Sequence, residues 1–471
     1  MSEEKLPADA APEEEAQDES FHGITSETEE RIVSALEAGD ETTVWALIEP
    51  IHYADMADLF ERLDEENRSR LFTIMGPSFG AEVLSELDET VRDKVIDEMS
   101  IDAIAQAVAE LDTDDAVYII EELDEKEQQQ VLDAIPDEDR ALIEETLSYP
   151  EDSAGRLMQR ELVTVPTFWT VGETIDYMRE NADRDDNPLP DQFYVIFVVD
   201  PKHRPVGMVS LDKVLRTRRP VKMTEVMEPD MRTIPVTTDQ EDVAFLFRQR
   251  DLVSAPVVDD GGRLIGVVTI DDIVDVIDEE HEEDIMRLGG VREDDLYSAV
   301  LDTTRARFSW LFVNLLTAIA ASIVIGLFDA TIDQIVALAI LMPIVASMGG
   351  NAGTQTLTVA VRALAMKELT ATNASRLVGK ELLVGLANGV MFALLAGVVA
   401  WWWFESATLG VVIGVAMVIN MLVAGLAGTL VPLVLDRAGV DPAIASSVFL
   451  TTITDVVGFF VFLSLAAMVL L

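Results

Sequence analysis

The last third of the chain contains five long apolar runs separated by short polar segments. Each run is long enough to cross the roughly 30 Å hydrocarbon core of a bilayer, which takes about 20 helical residues. We expect every run to be a helix because backbone N–H and C=O groups must be paired inside lipid. The sequence therefore predicts five membrane spans, at 308–328, 333–359, 381–404, 409–435 and 443–470.

The basic residues of this part predict the orientation of the spans. All seven bases after residue 300 precede the first span, or lie between the second and third or the fourth and fifth. The opposite loops, "FDATID" and "FESATLG", carry acids and no bases. Because basic loops favour the cytoplasmic side, we predict a multi-pass plasma-membrane protein with residues 1–300 in the cytoplasm and the C-terminus outside.

The first 300 residues hold 77 of the 86 acidic residues and 26 of the 33 basic residues. Such a surface attracts cations and repels nucleic acid, so we expect no nucleic-acid partner. Two causes of the charge stay open: a halophilic acidic surface, favoured by the scarcity of lysine, and divalent-cation sensing by carboxylates. The chain has no cysteine and no HExxH pair, which excludes thiolate metal sites and this zinc motif.

Residues 1–22 are rich in Glu, Asp, Ala and Pro and are expected to form a disordered acidic tail. Residues 23–148 predict an all-α helical-repeat N-domain, with an ordinary helical bundle as the alternative. Leu-Asp pairs recur every 24 residues, and each Asp stands where a helix N-cap is expected. The pairs are Leu63-Asp64, Leu87-Asp88 and Leu111-Asp112.

Residues 149–219 and 220–277 each predict alternating strands and helices. In the second half, "SAPVVDDGGRLIGVVTIDDIVDVI" reads as a β-hairpin that leads into a helix. This pattern resembles a tandem pair of α/β CBS domains, whose members often bind adenine nucleotides through a Ser or Thr and an Asp three residues later. Thr269 and Asp272 match that pair, so the resemblance leaves ATP binding open, with a dimerising hinge as the alternative.

Residues 278–307 predict a polar connecting helix with a break at Gly289-Gly290. Beyond it, Asp455 lies deep in the last apolar run, where a carboxylate costs several kcal/mol and should face a polar route or a partner. A protonated Asp bonded to a neighbouring helix is the alternative. The second run, "PIVASMGGNAGTQTLTV", combines Pro343 and three glycines with neutral oxygen ligands, which favours a cation route.

The second run, "TLVPLVLDRAGVDPAIAS" and "TTITDVVGFFVF" together resemble the MgtE magnesium channels. The resemblance implies a homodimeric Mg²⁺ channel, and no enzyme, whose cytoplasmic domains close the pore when bound to Mg²⁺. Asp455 matches the pore aspartate, and Ser347, Gly350 and Thr451 match positions whose carbonyls help to hold the hydrated ion. The regulatory Mg²⁺ acids implied are Asp239, Glu241, Asp251, Asp272, Asp275, Glu280, Glu283, Asp284 and Asp441.

Other functions are less well matched by these residues. Transport of Co²⁺, Mn²⁺ or Ni²⁺ stays open, as does a CBS-regulated channel for another ion. A chloride channel would need more spans and an anion site, and an intramembrane metalloprotease would need ligands that the spans lack. A magnesium sensor without transport would have no use for Asp455.

Overall fold

The computed structural model describes residues 23–182, 189–190, 192–291, 300–370, 372–443 and 447–471. The expected acidic tail at 1–22 lies outside these residues. The chain divides into two compact units, at residues 1–278 and 279–471, which are described separately below.

The N-terminal part of the first unit is entirely helical, which confirms the predicted all-α N-domain. Its helices are short because a polar cap residue begins nearly every one. The helices are α1 Ser26–Ala38, α2 Glu41–Ile48, α3 Tyr53–Arg62, α4 Glu65–Met75, α5 Ala81–Ser85, α6 Glu89–Glu98, α7 Ile101–Glu110, α8 Thr113–Glu121, α9 Glu125–Ala134 and α10 Asp137–Leu147.

The repeated aspartates lie at helix starts, as the sequence predicts. Asp64 accepts a hydrogen bond from the backbone of Asn67, and Asp88 accepts one from Thr90. Asp112 precedes α8 without a side-chain cap bond. There the Glu161 side chain accepts instead from the hydroxyl of Thr113 at 2.7 Å, which connects the helical domain to the segment that follows it.

Two three-stranded sheets with the same topology follow, which confirms the predicted CBS pair. In each sheet a short first strand pairs in parallel with the second, and the second and third form an antiparallel hairpin with a bulge. The elements are β1 Thr164–Pro166, α11 Val171–Asn181, β2 Val195–Val199, β3 Pro205–Ser210, α12 Leu211–Arg216, α13 Met223–Val226, β4 Ile234–Pro235, α14 Gln240–Arg250, β5 Ser254–Val258 and β6 Leu264–Thr269.

The connecting helix differs from the one expected over 278–307. Helix α15 runs continuously from Ile270 to Gly289, so the last CBS helix and the start of the connecting segment are one element. The backbone at Gly290 has a φ of +70°, which ends the helix because side-chain-bearing residues rarely adopt it. Residues 292–299 lie outside the described part, and residues 300–307 already belong to the first membrane helix.

The second unit contains five helices that are long and apolar enough to cross a bilayer, as predicted. The fourth span is the most buried, and the first and third are the least. Its helices are α16 Val300–Gly326, the short α17 Asp329–Gln334, α18 Ala337–Ala365, α19 Ala374–Phe404, α20 Ala407–Arg437 and α21 Ser447–Val469.

Glycines allow two of these helices to approach closely. A Cβ atom at Gly397 of α19 would lie only 2.9 Å from the backbone oxygen of Gly410 of α20. Such backbone proximity is typical of membrane helices, whose association depends on van der Waals packing and not on apolar burial from water.

Candidate ion route and cation-sensing sites

The carboxylate of Asp455 lies about one third of the way along α21 and is half-buried. No hydrogen bond or ion pair to this side chain is found among the described residues. A carboxylate at this depth is unfavourable unless it meets water, a cation or another polar group. Asp455 therefore has the position and the unsatisfied charge that a cation site in a membrane requires.

Helix α18 contacts α21 one turn before this carboxylate. A Cβ atom at Gly350 would lie 3.2 Å from the Cγ2 atom of Thr451, and Thr451 precedes Asp455 by four residues on the same helix face. The structure thus brings together Gly350, Thr451 and the turn that carries Asp455. The oxygen of Thr454, by contrast, is buried and donates to the carbonyls of Leu450 and Thr451.

One face of α18 carries polar residues that the subunit leaves exposed. This polar stripe consists of Ser347, Asn351, Gln355 and Thr358. Spacings of three and four residues place the stripe on one side of the helix, opposite buried apolar side chains. Exposed polar groups at membrane depth are costly in lipid, so this face needs water or protein against it.

In the first unit, carboxylates of the helical domain face carboxylates of the second CBS domain. This acidic face consists of Glu86, Asp114 and Asp115 of the helical domain and Asp272 and Asp275 of the CBS domain. The charges of carboxylates in one domain raise the pKa values of carboxylates in the other, so the two sets lie close together. Asp114 has a buried oxygen without a hydrogen-bond partner. The two domains therefore present like charges to each other.

Burial and, to a smaller extent, the charges of Asp271 and Asp115 raise the pKa of Asp272 to about 7, despite hydrogen bonds from Thr269 that lower it. Burial also raises the pKa of Asp115 to about 6, with Asp112 and Glu86 adding to the effect. Burial and then the charge of Asp272 raise the pKa of Asp114 well above its usual range. The acidic face is consequently under electrostatic repulsion when its groups are ionised.

No three carboxylate or imidazole groups within the described ranges converge closely enough to form a ready metal centre. Mg²⁺ does not need such a cage, since it usually retains several waters and binds through one or two carboxylates. Of the predicted regulatory acids, the acidic face includes only Asp272 and Asp275. It also includes Glu86, Asp114 and Asp115, which the sequence interpretation missed because nothing distinguishes them from the many other acids.

Three other predicted regulatory acids lie at the two ends of α14. Asp239 caps its start and accepts from the backbone of Glu241 at 3.0 Å, whereas Asp251 ends it in a left-handed conformation. The 11-residue helix separates these ends by about 16 Å. Asp251 therefore cannot share one ion with the other two acids.

The remaining predicted acids lie in the second unit, where an arginine compensates some of them. The Arg287 guanidinium, near the end of α15, forms ion pairs with both Glu283 and Asp441. Burial and the charges of Asp441 and Glu280 raise the pKa of Asp284, whereas His281 lowers it. Arg287 thus supplies at Asp441 a positive charge that the sequence interpretation assigned to Mg²⁺.

The predicted nucleotide residues do not face one pocket. Thr269 lines a cleft of about 20 Å³ together with Glu161, Tyr194 and Ser254. This volume holds about one water molecule, far less than a nucleotide. Asp272 is absent from the lining; its carboxylate accepts from the Thr269 hydroxyl at 2.7 Å and belongs to the acidic face.

Family models match most of the chain. A divalent cation transporter model, MgtE, matches residues 342–465, and the MgtE intracellular N domain matches residues 51–152. The CBS domain matches residues 154–219 and 223–279.

Two magnesium transporters and one solved cytosolic domain are similar to large parts of this chain. The magnesium transporter MgtE of Thermus thermophilus is 36% identical over 443 residues, which cover 93% of this chain and 97% of that protein. The MgtE of Enterococcus faecalis is 34% identical over 70% of this chain and 72% of that protein. A crystal structure of the cytosolic domain of the Mg²⁺ channel MgtE with ATP is 31% identical, covers 53% of this chain and 99% of that one, and has a TM-score of 0.48.

Proposed function

The chain belongs to the MgtE family of divalent cation transporters, and we propose that it carries Mg²⁺ across the membrane past Asp455. Its relatives are named magnesium transporters, which supports Mg²⁺ as the ion. The observation that carries the proposal for this chain is the Asp455 carboxylate, which no cationic side chain compensates in the described part of the membrane unit.

The ion route lies between two copies of the chain. The polar stripe on α18 supports this arrangement because a single subunit leaves it exposed at membrane depth. A two-fold axis beside the stripe would pair two Asp455 carboxylates around one hydrated ion. Two carboxylates favour a divalent ion by charge, and neighbouring backbone carbonyls and hydroxyls can bind its water without stripping it.

Flux into liposomes tests this route. Asp455→Asn keeps the size of the side chain and removes its charge, so we expect Mg²⁺ flux to fall at least tenfold with normal protein yield. Glu405→Gln is the matched control, since it removes an exposed acid at the end of α19 and should leave flux unchanged. Normal Mg²⁺ flux and selectivity in Asp455→Asn would refute the route.

The acidic face regulates the route by binding Mg²⁺. Burial first, and repulsion between the carboxylates second, raise its pKa values, and a hydrated divalent cation between the carboxylates offsets both effects and favours the docked arrangement of helical domain and CBS pair. Docking then closes the pore when Mg²⁺ is plentiful. A merely halophilic acidic surface would instead respond to total salt concentration and not to Mg²⁺.

Protease resistance of the full-length protein distinguishes these alternatives. At a fixed high KCl concentration, millimolar Mg²⁺ should protect the cytoplasmic part, and Asp114→Asn should weaken the dependence on Mg²⁺. Asp260→Asn, which changes an exposed acid in the turn between β5 and β6, outside the acidic face and the predicted regulatory acids, should behave as wild type. Equal cleavage with and without Mg²⁺ would exclude sensing by this face.

Nucleotide binding is a separate proposal for the CBS pair. Because Asp272 belongs to the acidic face, we place ATP contacts at Thr269 and the cleft around it, which must widen to admit a nucleotide. Thr269→Val should weaken ATP binding measured by calorimetry, whereas Asp272→Asn should not.

The C-terminus lies outside the cell, which labelling of a cysteine introduced after Leu471 tests.

A further inference from the structure

Halfway along α20, the amide side chain of Asn420 is fully buried among the membrane helices. Its Nδ2 atom donates to the backbone oxygen of Val345 of α18 at 2.9 Å. Its Oδ1 atom is buried without a hydrogen-bond partner in the part of the chain that the structure describes. A half-satisfied amide is unfavourable inside a membrane protein, so its presence calls for an explanation beyond packing.

Two glycines make room for this amide. A Cβ atom at Gly349 of α18 would lie 2.9 Å from the Cγ atom of Asn420, and one at Gly458 of α21 would lie 2.8 Å from its Nδ2 atom. Both approaches are closer than real Cβ contacts allow. Asn420 therefore fills the space between α18 and α21 and contacts both helices.

Both glycines adjoin the proposed ion route. Gly349 immediately precedes Gly350, which packs against the turn before Asp455, and Gly458 follows Asp455 by three residues. The two helices that Asn420 contacts are thus those that carry the proposed pore groups. The contacts of the amide with both helices therefore lie at the level of the proposed ion site.

We propose that Asn420 is a positioning residue of the ion route: its bond to Val345 and its fit against Gly349 and Gly458 set the spacing between the Gly350 backbone and the Asp455 carboxylate. The inference rests on the proposed function. Its consequence is that Asn420 determines divalent selectivity without touching the ion, because selectivity depends on how far apart the oxygen ligands are held.

Asn420→Leu tests the role, since it keeps a similar side-chain volume and removes the donor. In liposomes we expect the Mg²⁺ to Ca²⁺ flux ratio to change about fivefold, which corresponds to about 1 kcal/mol. Thr429→Val is the matched control, because Thr429 is buried on the same helix and its hydroxyl donates to the carbonyls of Gly425 and Leu426 of that helix. It should leave the ratio unchanged.

A second readout does not depend on transport. The chain has no cysteine, so Gly350→Cys combined with Thr451→Cys gives one pair whose disulfide formation reports the spacing of α18 and α21. Adding Asn420→Leu should slow cross-linking about fivefold, and adding Thr429→Val should not. The inference is overturned if Asn420→Leu leaves the cross-linking rate or the flux ratio unchanged. It is also overturned if Thr429→Val changes them as much as Asn420→Leu does. Absence of Mg²⁺ flux in the wild type would instead refute the proposed function, and cross-linking would still decide the role of Asn420.

Discussion

Removing the charge of Asp272 should stabilise the cytoplasmic unit when Mg²⁺ is absent. Asp272→Asn keeps an oxygen that can accept from Thr269 and removes a carboxylate whose pKa is raised to about 7. A folded-state pKa above the unfolded value means that the ionised group destabilises the fold. This penalty is fully present above about pH 7, decreases as the pH falls through the folded pKa, and is absent below the ordinary value of 3.8.

The expected gain in stability follows from how far the pKa of Asp272 is raised. A pKa raised from 3.8 to about 7 corresponds to about 4 kcal/mol, and coupling to Asp115 and the cost of burying the new Asn amide reduce the gain to about 2 kcal/mol. For a unit of this size, such a gain raises the melting temperature by about 4 to 8 °C.

Thermal unfolding of the full-length protein in detergent, with EDTA and fixed KCl, measures the effect. At pH 8 the first transition of Asp272→Asn should lie several degrees above that of the wild type, and at pH 5 the difference should be less than half as large. Asp260→Asn serves as the control because Asp260 is an exposed acid in the turn between β5 and β6, outside the acidic face. The same melting temperature for both proteins at pH 8, or a gain of equal size at pH 5, would refute the reasoning.

Three further predictions concern individual contacts. Arg287→Ala breaks the ion pair with Asp441, worth up to about 1 kcal/mol, and should raise Mg²⁺ flux up to about fivefold at an intermediate cytoplasmic Mg²⁺ concentration in a liposome assay. Gly397→Ala should lower the melting temperature of the membrane unit by several degrees, because the added methyl group would meet the Gly410 carbonyl. Arg156→Ala removes a guanidinium that connects the helical domain to the segment after it by donating to two backbone carbonyls and to a carboxylate. We expect the free energy of unfolding, measured by chemical denaturation, to fall by about 2 to 3 kcal/mol.

Much of the fold could be read from the sequence because its signals are local. Spans follow from the length of apolar runs, the CBS hairpins from strand alternation around Gly261-Gly262, and helix starts from the repeated Leu-Asp pairs. The boundary of the connecting helix was harder to place. The polar segment after Asp278 does not by itself reveal that its helix already began at Ile270.

The membrane class, the domain order and the exceptional position of Asp455 are evident from the residue order alone, since a carboxylate inside an apolar run is conspicuous wherever the helix packs. Which of the many acids lie close together depends on how the chain folds. The tertiary structure grouped Asp114 and Asp115 with Asp272, paired Asp441 with Arg287, and placed Asn420 between two glycines far away in sequence. The physical reason is that charge repulsion and steric fit depend on distances in space, and in a chain this rich in carboxylates the residue types alone carry no information about those distances.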